Sequence, residues 1–163
     1  MYEIEDRTLS AQPVCVITGK LPAHQIPNWL PEVYGRVFAY LTKSGVEPLG
    51  PPFARYRPIN GELEIEAGFP VESPLPGEGD IHASMFPPGP AAATWHIGPY
   101  EEMTTAYEAI SYWITKKGAR PEGPAWEVYH SDPQLEPPSK WRTEILQPYR
   151  MPSSRNKVRR DYR

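Results

Sequence analysis

With 163 residues, 39% apolar and 23% charged, the chain is long enough to bury one sizeable core and too short for two. Its 22 prolines, against a usual ~5%, rule against a helical bundle and point to many short elements with stiff connections. Residues 1–150 carry a net charge of −7 and residues 151–163 a net of +4, so an acidic body argues against nucleic acid along a broad face.

From the N-terminus, Tyr2 to Thr18 reads as an extended stretch broken by the turn Ser10-Ala11-Gln12-Pro13. Cys15, between Val14 and Val16, reads as a small core residue; as the lone cysteine it excludes an internal disulfide and a Cys-rich metal site. Met1 to Ser10 has no apolar h-region, and no apolar run approaches the roughly 20 residues that span a bilayer. A soluble, cytoplasmic protein with no membrane partner is expected. Leu30, Val33, Tyr34, Val37, Phe38 and Leu41 recur at helical spacing, with Pro27 and Asn28 at the start and Gly45 to stop the helix. Phe53 to Arg57 is a strand, Asn60-Gly61 a hairpin turn, and Glu62 to Ala67 an alternating return strand.

Residues 70–80 read as a linker, and the pattern then begins again. Asp80 to His96 is extended and broken at Pro87-Pro88-Gly89-Pro90. Met103, Ala106, Tyr107, Ile110, Trp113 and Ile114 mark a second amphipathic helix, started near Pro99 and stopped at Gly118. Ala125 to His130 and Trp141 to Leu146 are strands joined by a Pro-rich loop. The repetition is literal. Gly45 to Tyr56 and Gly118 to Tyr129 share G-x-x-P-x-G-P-x-[FW]-x-x-Y without a gap, at an offset of 73. The expected fold is α+β: strand–helix–strand–strand units duplicated about a pseudo-twofold axis, with an antiparallel sheet, two main helices and a central cleft. Repeat one covers about 1–70 and repeat two about 80–149 of a single ligand-binding domain over 1–150. The basic tail, 151–163, is expected to be solvated and disordered.

A groove along the axis should be lined by equivalent residues of both copies. Strand alternation puts Ala125, Glu127 and Tyr129 on one face, matched by Pro52, Ala54 and Tyr56, with Phe53 and Trp126 pointing the other way, towards the helices. Tyr56 and Tyr129 are then partners by symmetry, whereas Glu127 stands opposite Ala54. Glu127 is an exposed strand residue, or one paired with Arg55 or Arg142, or a carboxylate at the floor of an aromatic groove. In the groove it would neutralise a cationic ligand or act as a general base. Tyr34 and Tyr107 lie on the inner helix faces, as core or as cleft wall, one turn along from Leu30 and Met103. Trp29, Trp113 and Trp141 read as core. His24, His82, His96 and His130 have no metal-ligand spacing, His96 reads as structural, and no phosphate loop or nucleophile elbow occurs. Neither metal nor cofactor is expected.

Gly98-Pro99-Tyr100, the strand Pro124-Ala125-Trp126-Glu127-Val128-Tyr129 with Asp132-Pro133 after it, and Trp141-Arg142-Thr143-Glu144-Ile145 resemble the GyrI-like family. That family includes the effector-binding domains of AraC- and MerR-type multidrug regulators. The resemblance covers about residues 1–149. It implies two strand–helix–strand–strand repeats, a central hydrophobic cleft, and an acid that meets bulky aromatic, often cationic, compounds; by position the acid is Glu127. With no DNA-binding domain before residue 1, a stand-alone binder is expected, with Glu127, Tyr129, Tyr56, Tyr100, Met103, Leu30, Tyr34 and Tyr107 around the ligand. The resemblance implies two alternatives: a hydrolase of cyclopropane-containing genotoxins, with Glu127 as base and Tyr56 or Tyr129 as hydroxyl donor, and an inhibitor protein that holds gyrase.

Overall fold

The computed structural model describes residues 1–152; most of the basic tail, 153–163, lies outside the described residues. In chain order the elements are β1 (Glu5–Leu9), β2 (Gln12–Leu21), α1 (Ile26–Lys43), β3 (Phe53–Ile59), β4 (Glu62–Pro70), β5 (Ile81–Phe86), β6 (Gly89–Ile97), α2 (Thr104–Lys116), β7 (Arg120–Pro121), β8 (Trp126–Tyr129) and β9 (Arg142–Arg150). Eight strands form one antiparallel sheet in the order β1-β6-β9-β8-β3-β4-β2-β5, and β7 pairs with β9. The fold is the expected duplicated α+β arrangement, as a curled half-barrel with two main helices.

The local chemistry acts alike in both copies. Gly45 (φ 71°) and Gly118 (φ 79°) adopt the left-handed conformation that ends each helix. Behind them the N–H of Val46 donates to Leu41 O and that of Ala119 to Ile114 O, closing the last turns. Asn60 (φ 47°) and Gly61 (φ 81°) make the tight β3–β4 hairpin. The copies differ in helix length. α1 has 18 residues and α2 has 13. Each follows a short 3₁₀ turn, Ala23–Gln25 before α1 and Tyr100–Glu102 before α2, so the second begins after Pro99 rather than at it.

The copies interlock as well as abut. β1 pairs with β6 of the other copy, and β5 with β2. At the centre, β3 and β8 pair with Phe53 opposite Val128, Ala54 opposite Glu127, and Arg55 opposite Trp126. Ala54 and Glu127 are also the residues that the 73-residue offset makes equivalent. The pseudo-twofold axis therefore passes through this one pair.

Both helices pack on the face that carries Ala54 and Glu127. α1 buries Val33, Val37, Tyr40 and Leu41 against Ile17, Ala54, Ile65 and Ala67. α2 buries Ala106, Ile110 and Ile114 against Ala92, Ile145 and Tyr149. Phe38, placed on the apolar stripe by its spacing, is half exposed at the edge of that stripe beside Phe69. Tyr40 takes the inner position, and its hydroxyl accepts from the Gly77 N–H at 3.0 Å.

Phe53 and Trp126 correct the expected orientation: they point away from the helices. The curl of the sheet brings Phe86 of β5 onto them, stacked on Trp126 at 4.1 Å and edge-on to Phe53 at 4.5 Å. Val14, Val16, Ala93 and Leu146 complete this core. Alternation had placed the two aromatics opposite Ala54 and Glu127 correctly. What it lacked was the second core, which forms because a curled sheet shelters its far face as well.

Candidate functional site

The centre of the sheet presents a set of tyrosines to the helix side. Tyr56 comes from β3, Tyr129 from β8, Tyr34 from α1 and Tyr107 from α2. The hydroxyls of Tyr56 and Tyr129 meet at 2.6 Å, directly across the axis. Tyr129 also donates to Glu127 Oε1 at 2.7 Å, and Tyr107 donates to Glu127 Oε2. A phenol has one hydrogen to give. With that of Tyr129 committed to the carboxylate, Tyr56 is the donor to Tyr129. The hydrogen bonds thus run from Tyr56 through Tyr129 to Glu127, with Tyr107 arriving from the other side.

The asymmetry at the axis rearranges one bond. Tyr34 is the counterpart of Tyr107, but its copy offers Ala54 in place of a carboxylate. It donates instead to the backbone oxygen of Phe53 at 2.8 Å.

Burial pushes the Glu127 carboxyl above its usual range, while the hydrogen bonds from Tyr107 and Tyr129 and the nearby His96 act to hold it down. Burial, with the Glu127 charge adding to it, raises Tyr56, Tyr107 and Tyr129, and burial with neighbouring Tyr56 and Glu127 raises Tyr34. The phenols therefore stay protonated as donors. Among the described residues no Lys or Arg pairs with Glu127. Arg55, one partner considered for it, is bonded to Glu66 and Ser84; Arg142, the other, is exposed on β9.

The carboxylate opens onto a cleft of about 340 Å³ lined by Tyr56, Pro58, Leu63, Tyr107, Ala125 and Glu127. Glu127 is its one charged group. Pro58 and Leu63 escaped the sequence reading, although period-two alternation from Tyr56 reaches Pro58 and the hairpin register pairs Pro58 with Leu63. Tyr129, bonded to the carboxylate, and Tyr34 pack against the α1 core and are not among the lining residues. Tyr100 lies against Tyr129, ring centres 5.6 Å apart, and stacks on Trp141 at 4.8 Å. Met103 and Leu30, expected around the ligand, are not among the residues that line this cleft: Met103 is buried in the α2 core, and Leu30 is half-buried against the same α1 cluster as Tyr56, Leu63 and Tyr129. A wider hollow of about 500 Å³ lies between the end of β2 and the start of α1, lined by Gly19, Lys20, Leu21, His24, Gln25, Asn28, Trp29 and Glu32. Its lining is about evenly polar and apolar, and its one acid, Glu32, is exposed.

The remaining candidates are structural. His96 is buried, with Nδ1 bonded to the Tyr2 hydroxyl at 2.8 Å and Nε2 to Pro99 O at 2.9 Å. Cys15 is buried in the α1 core. Among the described residues no group of three His, Cys, Asp or Glu is placed to hold a metal ion, and no helix is long and apolar enough to cross a membrane.

A duplicated α+β fold with a cleft at its axis is what the sequence resemblance implied. The family model for the GyrI-like small molecule binding domain matches residues 2–150. The chain belongs to the GyrI-like family. No curated protein matches it.

Solved structures agree on the fold. The C-terminal domain of EcmrR superposes with a TM-score of 0.76 at 20% identity, covering 93% of this chain and 99% of that one. EcmrR in its complex with DNA gives 0.78 at 18%, and there this GyrI-like chain, covered over 93% of its length, spans 58% of the EcmrR chain. A hydrolase from Listeria innocua gives 0.67 at 14%, covering 91% of this chain and 92% of that one. SAV2435 bound to tetraphenylphosphonium gives 0.60 at 12%, covering 91% and 94%.

Proposed function

We propose that residues 1–150 act as one domain that binds bulky, hydrophobic, aromatic small molecules carrying a positive charge. The observation that carries this reading is the Glu127 carboxylate, enclosed beside an otherwise uncharged aromatic cleft and held by phenols with no cation to balance it. An acid in that position costs stability, and a ligand cation would relieve the cost. Aromatic faces favour the same ligand charge, and the net −7 of residues 1–150 draws cations towards the cleft. The tetraphenylphosphonium on SAV2435 is a ligand of this chemistry in a protein of the same fold. Fluorescence titration with a cationic dye tests the reading. Glu127→Gln should weaken binding, and equal affinity in both proteins removes Glu127 from the account.

A second reading, hydrolysis of a strained electrophile such as an activated cyclopropane, draws support from the upward push on the Glu127 carboxyl. Glu127 would take a proton from water as the water oxygen attacks a ring carbon; the ring C–C bond breaks, its electron pair passes to the substrate's conjugated carbonyl oxygen, and a phenol hydrogen-bonds that oxygen, which ends protonated. Against it, both carboxylate oxygens already accept hydrogen bonds from Tyr107 and Tyr129. That arrangement stabilises a fixed negative charge more than it prepares a base. Mass spectrometry of a cyclopropane-containing alkylator incubated in excess with the protein decides the point: a ring-opened hydrate beyond one equivalent establishes turnover.

A further inference from the structure

The duplication supplies a comparison within the molecule. Three walls of the open cleft are Tyr56, Tyr107 and Leu63. Their counterparts in the other copy are Tyr129, Tyr34 and Trp141. The first two follow from the 73-residue offset. The third follows from pairing: Leu63 stands opposite Leu21 at the end of β2, and Trp141 O accepts from the Gly98 N–H at 2.8 Å, just past the end of β6. Leu21 and Gly98 each precede a proline, Pro22 with ψ 152° and Pro99 with ψ 151°, that opens a 3₁₀ turn. A second set of walls therefore exists across the axis, and it is aromatic throughout.

That second set is occupied. The Tyr100 ring stacks on Trp141 and lies against Tyr129. The residue at the same place in the first copy, first in its 3₁₀ turn, is Ala23. One copy has a methyl group there and an open cleft; the other has a phenol ring and a filled one.

The walls and the occupant are held differently. Trp141 Nε1–H donates to Glu136 O at 2.8 Å, Tyr34 donates to Phe53 O, and Tyr129 is fixed between Tyr56 and Glu127. The Tyr100 hydroxyl has no hydrogen-bond partner among the described residues, and the residue is 38% exposed. Gly98, two residues before it with Pro99 between, sits at φ 132°, a conformation that glycine adopts freely. Stacking holds the ring in place, and a ligand ring of the same kind can replace stacking.

We propose that Tyr100 is the displaceable occupant of a second aryl subsite walled by Tyr34, Tyr129 and Trp141, and that the ligand is a cation with aryl groups on both sides of the Glu127 carboxylate. Ala54 stands where this half would carry an acid, so the second subsite takes an uncharged ring while the charge stays beside Glu127. The proposal rests on the cation-binding reading and assigns the class of ligand.

Calorimetry on the full chain tests it with two probes, phenyltrimethylammonium with one aryl group and tetraphenylphosphonium with four. Tyr100→Ala should tighten tetraphenylphosphonium about two- to tenfold, the worth of the displaced stack, and leave phenyltrimethylammonium nearly unchanged. Adding Trp141→Ala should abolish the gain. If Tyr100→Ala weakens tetraphenylphosphonium, or leaves the ratio of the two affinities unchanged, Tyr100 is a fixed wall and the subsite is overturned. If wild type and Glu127→Gln bind both probes equally well, the charge reading fails while the Tyr100 result still judges the aryl subsite. If no variant binds either probe, both fall.

Discussion

Replacing Glu127 by Gln should weaken ligand binding and raise the stability of the free protein, and the pH dependence separates the two effects from side-chain shape. A carboxylate about 4–5 Å from a ligand cation gains roughly 3–4 kcal/mol at an effective dielectric near 20. Desolvation of both charges takes back part, leaving about 1.5–3 kcal/mol, or roughly a ten- to hundredfold loss of affinity in the variant. For stability the sign follows from the direction of the shift. Glu127 titrates higher in the folded protein than the 4.5 of a free glutamate, chiefly because it is buried. The folded state therefore holds its proton more tightly than the unfolded state does. Stability contributed by the protonated form is full below the unfolded value and is lost as pH rises through the folded one. Gln keeps the neutral form at every pH. Each pH unit between the two titrations is worth about 1.4 kcal/mol, or about 3–6 °C of Tm in a chain of this size. Gln can accept from only one of the two phenols that Glu127 serves, a loss of about 1 kcal/mol that is independent of pH. Thermal melts of both proteins from pH 4 to pH 8 are the assay. The Tm difference, variant minus wild type, should grow as pH rises. A difference that is flat, or that falls with pH, would refute the account of Glu127 as a carboxylate held against its own burial.

Three further changes test the frame around it. Tyr56→Phe removes the 2.6 Å hydrogen bond across the axis and should cost about 0.5–1.5 kcal/mol in chemical denaturation, with cation affinity changed less than in Glu127→Gln. Gly68→Ala would place a Cβ 1.8 Å from the backbone oxygen of Cys15, between β2 and β4; circular dichroism should show the loss of more than about 3 kcal/mol or failure to fold, and a stable variant would mean that this strand pair moves apart freely. Ala54→Glu sets a second carboxylate beside the first at a fully buried position, so melts should show destabilisation that is larger at pH 8 than at pH 4, where the pair shares protons.

Local chemistry made the repeat readable. Gly45 and Gly118 had to be glycines to end their helices in the left-handed region, and Asn60-Gly61 had to turn a hairpin, so these positions spoke for themselves in the chain. Alternation in β3 and β8 then carried the argument to Ala54, Tyr56, Glu127 and Tyr129 on one face, and the structure brings all four to the axis. Features set by pairing were not readable. The exchange of β1 and β5 between copies leaves no local trace, since each strand satisfies the same backbone groups with either partner. Alternation alone cannot say that the face of Phe53 and Trp126 is away from the helices, because the core that the curl shelters there depends on Phe86 from a distant strand. Leu30 and Met103 share the inner stripe of each helix with Tyr34 and Tyr107, so helical spacing alone groups all four with the ligand. A helical turn is 5.4 Å long, and that distance separates a residue over the cleft from one over the neighbouring core.

The proposed site turns on a departure from symmetry. A strict twofold through the β3–β8 pair would give two acids or none at its centre. Two would stand side by side, with Cβ atoms about 4.5–5.5 Å apart, and in a sheltered place they could not both stay ionised. None would leave an aromatic cleft with no preference for charge. With Glu127 on one strand and Ala54 on the other, a single charge stays close to the axis. The duplicated tyrosines then serve different ends: Tyr107 and Tyr129 hold the carboxylate, while Tyr34, with no acid to serve, closes on the backbone of Phe53. The same departure recurs at the 3₁₀ turns, where Ala23 leaves one side open and Tyr100 fills the other. Symmetry supplies the walls twice, and two substitutions, at 54/127 and at 23/100, decide where the charge sits and which half of the cleft is already occupied.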